Sequence, residues 1–203
     1  MDFQEISLAL GIAAGVTQLV GYYVYARLTP HSNIGSWSIW TFSAVLDLAA
    51  YAYVTREDLV KDILPVACLI GSISLFGFMV WKGRFGWPDR CDWGFFGLDL
   101  VFTVAWYFTN ATVATLLYQV STVLSFVPIA RAELKEKDPE MREHPVPWLI
   151  WTVAYLLMLA SVAMRHPEPA ELAYPIVHAG VHLAFMFLIL FIWRRNKQTE
   201  PAL

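Results

Sequence analysis

Two histidines, His178 and His182, stand four residues apart in an apolar stretch near the C-terminal end of a 203-residue chain. On a helix that spacing puts both imidazoles on one face. Far away in sequence, Asp47 interrupts another apolar stretch, and Tyr51 follows one turn later on the same face. Imidazole changes charge near neutral pH, and a carboxylate in hydrocarbon must find a partner or take a proton. A His–Asp pair of this kind could carry a proton or hydrogen-bond a polar solute. Asp47, His178 and His182 are therefore the expected substrate and proton-coupling residues, with Cys68, Ser72 and Tyr51 behind them. The i, i+4 histidines also have metal-ligand spacing, with Asp47 a conceivable third ligand, but zinc needs three or four in fixed geometry. No metal or other cofactor is expected. No phosphate-binding loop and no nucleophile elbow occur, so an enzyme is not expected.

These residues must be positioned by long apolar helices. The chain is 58% hydrophobic and 15% charged, well below the charge of a soluble domain. Its apolar residues fall into seven blocks, 6–28, 34–55, 63–81, 93–109, 111–130, 146–164 and 172–193, each near the length that a bilayer-spanning helix requires. The pattern predicts an all-α integral membrane protein of seven transmembrane helices embedded in the lipid bilayer. The first block is too long, and lacks the basic start and cleavage site, to be a removable signal peptide. Only Arg56, Lys61 and Arg165 of the 14 basic residues fall on one side of such a fold; the rest mark the other side as cytoplasmic, with the N-terminus outside and the C-terminus inside. At about 1.5 Å per residue, Gln18, Asp47, Ser72, Asp99, Gln119, His178 and His182 lie about 9–18 Å from the outer ends of their blocks, in one layer. No basic stripe suggests nucleic acid. Cys68 lies in a span and Cys91 in a loop, so no disulfide is expected.

The chain also repeats itself. Trp37-Ser-Ile-Trp-Thr41 has an echo in Trp148-Leu-Ile-Trp-Thr152. Ala26-Arg27 ends the first block and Ala130-Arg131 the fifth. Pro65 to Cys68 opens the third and Pro175 to His178 the seventh; Trp81-Lys82 and Trp193-Arg194 close them. Four pairs in the same order point to a duplicated three-helix unit with one helix between the copies. That extra span lets both copies insert in the same direction, as parallel repeats with a binding site between them. The domains expected are residues 1–82, a first triple-helix bundle; 83–110, a loop and linker helix; and 111–203, a second bundle with a tail. The tryptophans sit at the cytoplasmic ends of their spans, where indoles anchor at the interface; Trp40 and Trp151 are also candidates for a gate.

This order of spans, the Gly35-Ser36 entry to the second and Phe126-Val127-Pro128 near the end of the fifth resemble the SWEET facilitators and the wider PQ-loop transporter clan, across residues 6–195. The resemblance implies two parallel triple-helix bundles joined by a linker helix, and it makes Pro128 a gate residue. The clan's Pro-Gln dipeptide is absent, with Ile129 after Pro128. The pocket asparagines of the sugar facilitators would fall near Cys68 and His178, and their pocket tryptophans near Asp47–Leu48 and Leu157–Met158. The resemblance thus carries the scaffold and not sugar as the substrate.

The expected function is movement of a small polar solute (a sugar, nucleoside, vitamin or amino acid) by alternating access, with or without proton coupling. The alternative is a seven-span receptor or partner-organising protein, for which the charged segment Arg131–Pro145 would be a docking surface or else a solvated linker. The seventh span has no lysine for a retinal Schiff base. Monomer and homo-oligomer are both left open.

Overall fold

The computed structural model describes residues 2–56, 58–86, 90–136, 138 and 141–199. Seven α-helices are present among them: α1 (Phe3–Leu28), α2 (Ile34–Val54), α3 (Leu59–Trp81), α4 (Arg90–Tyr107), α5 (Ala111–Lys135), α6 (Pro145–Ala163) and α7 (Pro169–Thr199). Each expected apolar block falls on a helix, except for Thr55, Phe108, Thr109 and Met164 at block ends, and several helices extend further. α3 starts at Leu59 because the Asp58 side chain accepts from Val60 N at 3.1 Å, which caps an otherwise orphaned amide. α5 and α7 run on into charged residues that contain no helix breaker. α2, α5 and α6 are capped in the same way, by Asn33, Asn110 and His144.

Five helices are long and apolar enough to cross a membrane: Phe3–Leu28, Leu59–Trp81, Thr112–Lys135, Pro145–Ala163 and Pro169–Arg195. The chain is accordingly a multi-pass integral membrane protein. α2 and α4 do not meet that measure. In α2 the reason is its cargo of Trp, Tyr, Ser and Asp, most of it turned inward: Ser36, Trp37, Ser43, Asp47 and Tyr51 are buried.

The burial pattern is that of a bundle in lipid. α1 buries Ser7, Gly11, Ala14, Gly15, Gln18, Gly21 and Tyr25 and exposes Leu8, Ile12, Val16, Val20 and Tyr23. Small and polar residues face neighbouring helices, where they allow close approach, and large apolar ones face outward. α1 packs on α3 and α6, α2 on α3 and α5, and α7 on α5 and α6; α4 lies against α5 and α2.

Contacts sort the connections into two ends. At the first, Ser32–Asn33 (β1) pairs in parallel with Phe85–Gly86 (β2), and Arg84 donates to Ala26 O at 2.8 Å. At the second, Lys61 on α3 meets Glu171 on α7 at 2.8 Å, Arg165 meets Asp58 at 2.7 Å, and Ser7 bonds Ser161. Two apolar clusters stack along the bundle. One, around Tyr25, Trp37, Phe126, Trp148, Trp151 and Phe185, lies toward the first end. The other, around Tyr51, Cys68, Tyr155, Met158 and Tyr174, lies toward the second.

Two sequence expectations change here. Trp37, Trp148 and Trp151 are 2% exposed or less and Trp40 is half-buried; they are core, not interfacial anchors, because their rings pack on one another across α2 and α6. Among the described residues, Trp81 and Trp93 are the exposed indoles. The segment Arg131–Pro145 is not simply a solvated linker either: Glu133, Arg142 and Glu143 are buried, because Glu143 reaches back to Tyr25 and Ser32. Lys137, Pro139 and Glu140 of that segment lie outside the described residues.

Candidate functional site

Between the two clusters lies a cavity of about 70 Å3 to which every helix except α4 contributes. α1 supplies Gln18 and Tyr22; α2 supplies Trp37, Trp40, Ser43, Ala44 and Asp47; α3 supplies Cys68 and Ser72. α5 adds Thr122 and Phe126, α6 adds Trp148, Trp151 and Tyr155, and α7 adds Tyr174, His178 and His182. Five of the six expected solute-binding residues, Asp47, Cys68, Ser72, His178 and His182, thus line one space, together with the gate candidates Trp40 and Trp151.

Tyr51 and Pro128 are not in the wall. Tyr51 is fully buried nearby, where its hydroxyl donates to Glu171 O at 3.0 Å and its ring lies against Tyr174. Pro128 is an interior residue of α5, two positions past the lining residue Phe126. Gln119 donates to Thr115 O of its own helix at 3.2 Å and stays out of the cavity. The side chains of Asp99 and Cys91 lie outside the described residues.

The histidines owe their orientation to their own helix. His178 Nδ1 lies 3.0 Å from Tyr174 O, and His182 Nδ1 lies 2.7 Å from His178 O. A carbonyl oxygen only accepts, so each Nδ1 carries the hydrogen. In the neutral ring, Nε2 is then left as a bare acceptor. Aromatic rings hold both imidazoles: Tyr155 stacks on His178 with centroids 4.8 Å apart, Tyr174 lies at 4.3 Å, and Trp148 and Phe126 flank His182 at 5.6 and 5.4 Å.

Most other donors in the wall are used inside it. The Tyr22 hydroxyl donates to Cys68 O, that of Tyr174 reaches Cys68 Sγ, and that of Tyr155 pairs with the same sulfur at 3.3 Å. Trp151 Nε1 donates to Gln18 O at 3.2 Å, and Trp40 Nε1 to Ser125 Oγ. Cys68 is a free thiol, buried under three tyrosines. One acceptor is left over: Gln18 Oε1 is buried with no hydrogen-bond partner among the described residues. Asp47 is buried in the same wall, 6% exposed.

Two glycines shape the space. A side chain at Gly21 would fall on the indole of Trp151, and one at Gly71 on the ring of Tyr22. Both rings therefore sit where only glycine lets them.

Toward the first end the wall continues into a polar knot. Tyr25 and Ser32 both donate to Glu143 Oε1, the latter at 2.7 Å, and Trp37 Nε1 donates to their two hydroxyl oxygens at 3.1 Å. The Glu143 amide donates to Glu133 Oε1 at 3.1 Å. Burial above all, and then the neighbouring Glu133 carboxylate, push Glu143 well above the ordinary carboxylate range.

Sequence reasoning did not single out Tyr155, Tyr174 or Glu143, and it noted Phe126 only as part of the Phe126–Pro128 motif. A signal existed for two of them: Tyr155 is one turn from Trp151, and Tyr174 one turn from His178. Glu143 sits in a run of charges that reads as solvated. No group of three or more metal-ligating side chains is present among the described residues. No protein-family model matches the chain, and no match is found among curated proteins or solved structures.

Proposed function

We propose that the chain is a seven-span transporter that moves a small polar solute across the membrane by alternating access. The observation that carries this reading is a polar cavity in mid-bundle, bounded at each end by side-chain contacts between the first three helices and the last three. At the first end these are Tyr25 and Ser32 with Glu143; at the second, Lys61 with Glu171, Asp58 with Arg165 and Ser7 with Ser161. A transporter needs two such sets, broken in turn.

The packing pattern supports two parallel triple-helix bundles, residues 1–82 and 111–203, joined through α4. Exchanging α1, α2 and α3 for α5, α6 and α7 turns the α1–α3 contact into α5–α7. It likewise turns α2–α3 into α6–α7, and α1–α6 into α5–α2, all of which occur. This is the arrangement that the likeness to SWEET and PQ-loop proteins implies. The basic residues make the first end cytoplasmic. Asp47, His178 and His182 bind the solute and carry any coupled proton, and Trp40 and Trp151 belong to the barrier on the cytoplasmic side.

The test is flux in proteoliposomes with a panel of radiolabelled sugars, nucleosides, vitamins, amino acids and amines, with and without a proton gradient. Saturable uptake of a panel member that Asp47→Asn abolishes, in protein that still folds, is the expected result. Uptake equal to that of empty liposomes across the panel would sink the transport reading.

A further inference from the structure

We infer that the solute of the central cavity is a compact organic cation, an alkylammonium held in an aromatic cage and not a sugar. This rests on the reading of the cavity as a solute site. Three features of the wall lead to it.

The first is charge. Among the described lining residues Asp47 is the acid, and the set includes no lysine or arginine. A carboxylate in a bundle interior is costly unless a positive charge or a proton meets it.

The second is hydrogen-bonding sense. The tryptophan and tyrosine donors described above are turned into the protein, whereas Gln18 Oε1 and the Nε2 atoms of His178 and His182 are left as acceptors. Trp148 Nε1 is the exception, a buried donor with no hydrogen-bond partner among the described residues. A sugar hydroxyl needs donors and acceptors together. A wall in which unused acceptors outnumber unused donors suits a ligand that mainly donates, or one that is simply positive.

The third is the rings. Four tryptophans, three tyrosines and a phenylalanine line the space, and their centroids stand 5.0–6.3 Å from one another where they touch. The negative faces of such rings attract a cation within about 6 Å, and Trp is the strongest. The same cage repels a second anion, so one carboxylate suffices to set the sign. The cavity, about 70 Å3, amounts to roughly five water-sized positions. That suits an ammonium headgroup better than a sugar ring.

Equilibrium binding to the purified wild-type protein tests this, with choline, tetramethylammonium and 3,3-dimethylbutan-1-ol as probes. The last has the shape and hydroxyl of choline, with a carbon in place of the charged nitrogen. Saturable binding of the two cations, with the alcohol weaker by about tenfold or more, is the expected result; in the same assay Asp47→Asn weakens choline and leaves the alcohol unchanged. Equal binding of choline and the alcohol would overturn the inference. So would binding of uridine or glucose with none of either cation, although the transport reading would then stand. Choline binding without choline uptake in proteoliposomes would do the reverse, keeping the cation site and removing transport. No binding of any probe in the millimolar range overturns the cation assignment.

Discussion

Gly21 shows how closely single residues set this cavity. A methyl group there would overlap the Trp151 indole, and Trp151 has nowhere to go. It is 2% exposed, its Nε1 is bonded to Gln18 O, and Tyr25 stacks on it at 5.5 Å. Gly21→Ala should therefore lower the melting temperature, at a cost of about 1–3 kcal/mol for overpacking, and reduce ligand binding. An unchanged melting curve would mean that Trp151 can move aside. Glu143 gives a pH prediction. Its carboxyl is pushed up to about 8, by burial first and by Glu133 second. A raised value means that the folded arrangement favours the protonated form. Its stabilising contribution is thus complete below the ordinary carboxylate range and is lost as pH rises through about 8. The charged and titratable groups around it are Glu133, Glu136, Arg142, His31, His144 and Tyr25. Those groups also titrate, so the prediction concerns a difference. The wild type should lose more melting temperature than Glu143→Gln between about pH 6 and about pH 9, since the amide keeps an acceptor for Tyr25 and Ser32 but cannot ionise. Parallel curves for the two proteins would remove Glu143 as the titrating group.

Pairs of elements meet through charges as well as rings. Lys61 on α3 and Glu171 on α7 are both buried, and the ammonium lies 2.8 Å from each carboxylate oxygen. Breaking such a pair leaves a buried charge unmatched, which costs about 3–5 kcal/mol. Lys61→Met alone should be strongly destabilising, while Lys61→Met with Glu171→Gln should recover much of the loss, because Gln keeps an oxygen for the Glu168 amide that Glu171 now caps. Additive effects in that cycle would mean the two groups do not couple. At this scale most of the fold was legible. Seven largely apolar runs became seven helices, five of them long and apolar enough to span, since such runs leave the backbone little else to do. The inward set of Asp47, Cys68, Ser72, His178 and His182 was legible for the same reason, as polar groups inside such runs must face other helices. The tryptophans were not, because an indole near a span's end reads alike whether it faces lipid or a partner helix. Which end loop folds back was equally hidden: Glu143 looks solvated until the hydroxyls of Tyr25 and Ser32, more than a hundred residues earlier, are brought to it by the packing of α1 on α6.

Side-chain contacts tie the bundle at both ends of the central cavity, and the alternating access proposed above requires that one tie open while the other holds. Ser7 and Ser161 offer a direct way to test the second end. Their hydroxyls are 3.2 Å apart, and Ser161 Oγ also donates to Ser7 O at 2.7 Å, stitching α1 to α6. Hydroxyls this close make the pair a candidate for an engineered disulfide. The double substitution Ser7→Cys and Ser161→Cys, made with Cys91→Ser, should cross-link on mild oxidation; Cys68 is deep under its tyrosines and should not compete. The bond holds α1 against α6 at the end that must part for solute to leave or enter there. Flux should stop on oxidation and return on reduction, while equilibrium binding persists, because solute still reaches the cavity from the first end. Full flux through the cross-linked protein would show that the path does not run between α1 and α6, and the cavity would then have to open elsewhere along the junction. Loss of binding together with flux would show instead that the second end is the solute's entry to the cavity under those conditions. The cross-link thus tests the direction of access as well as its existence.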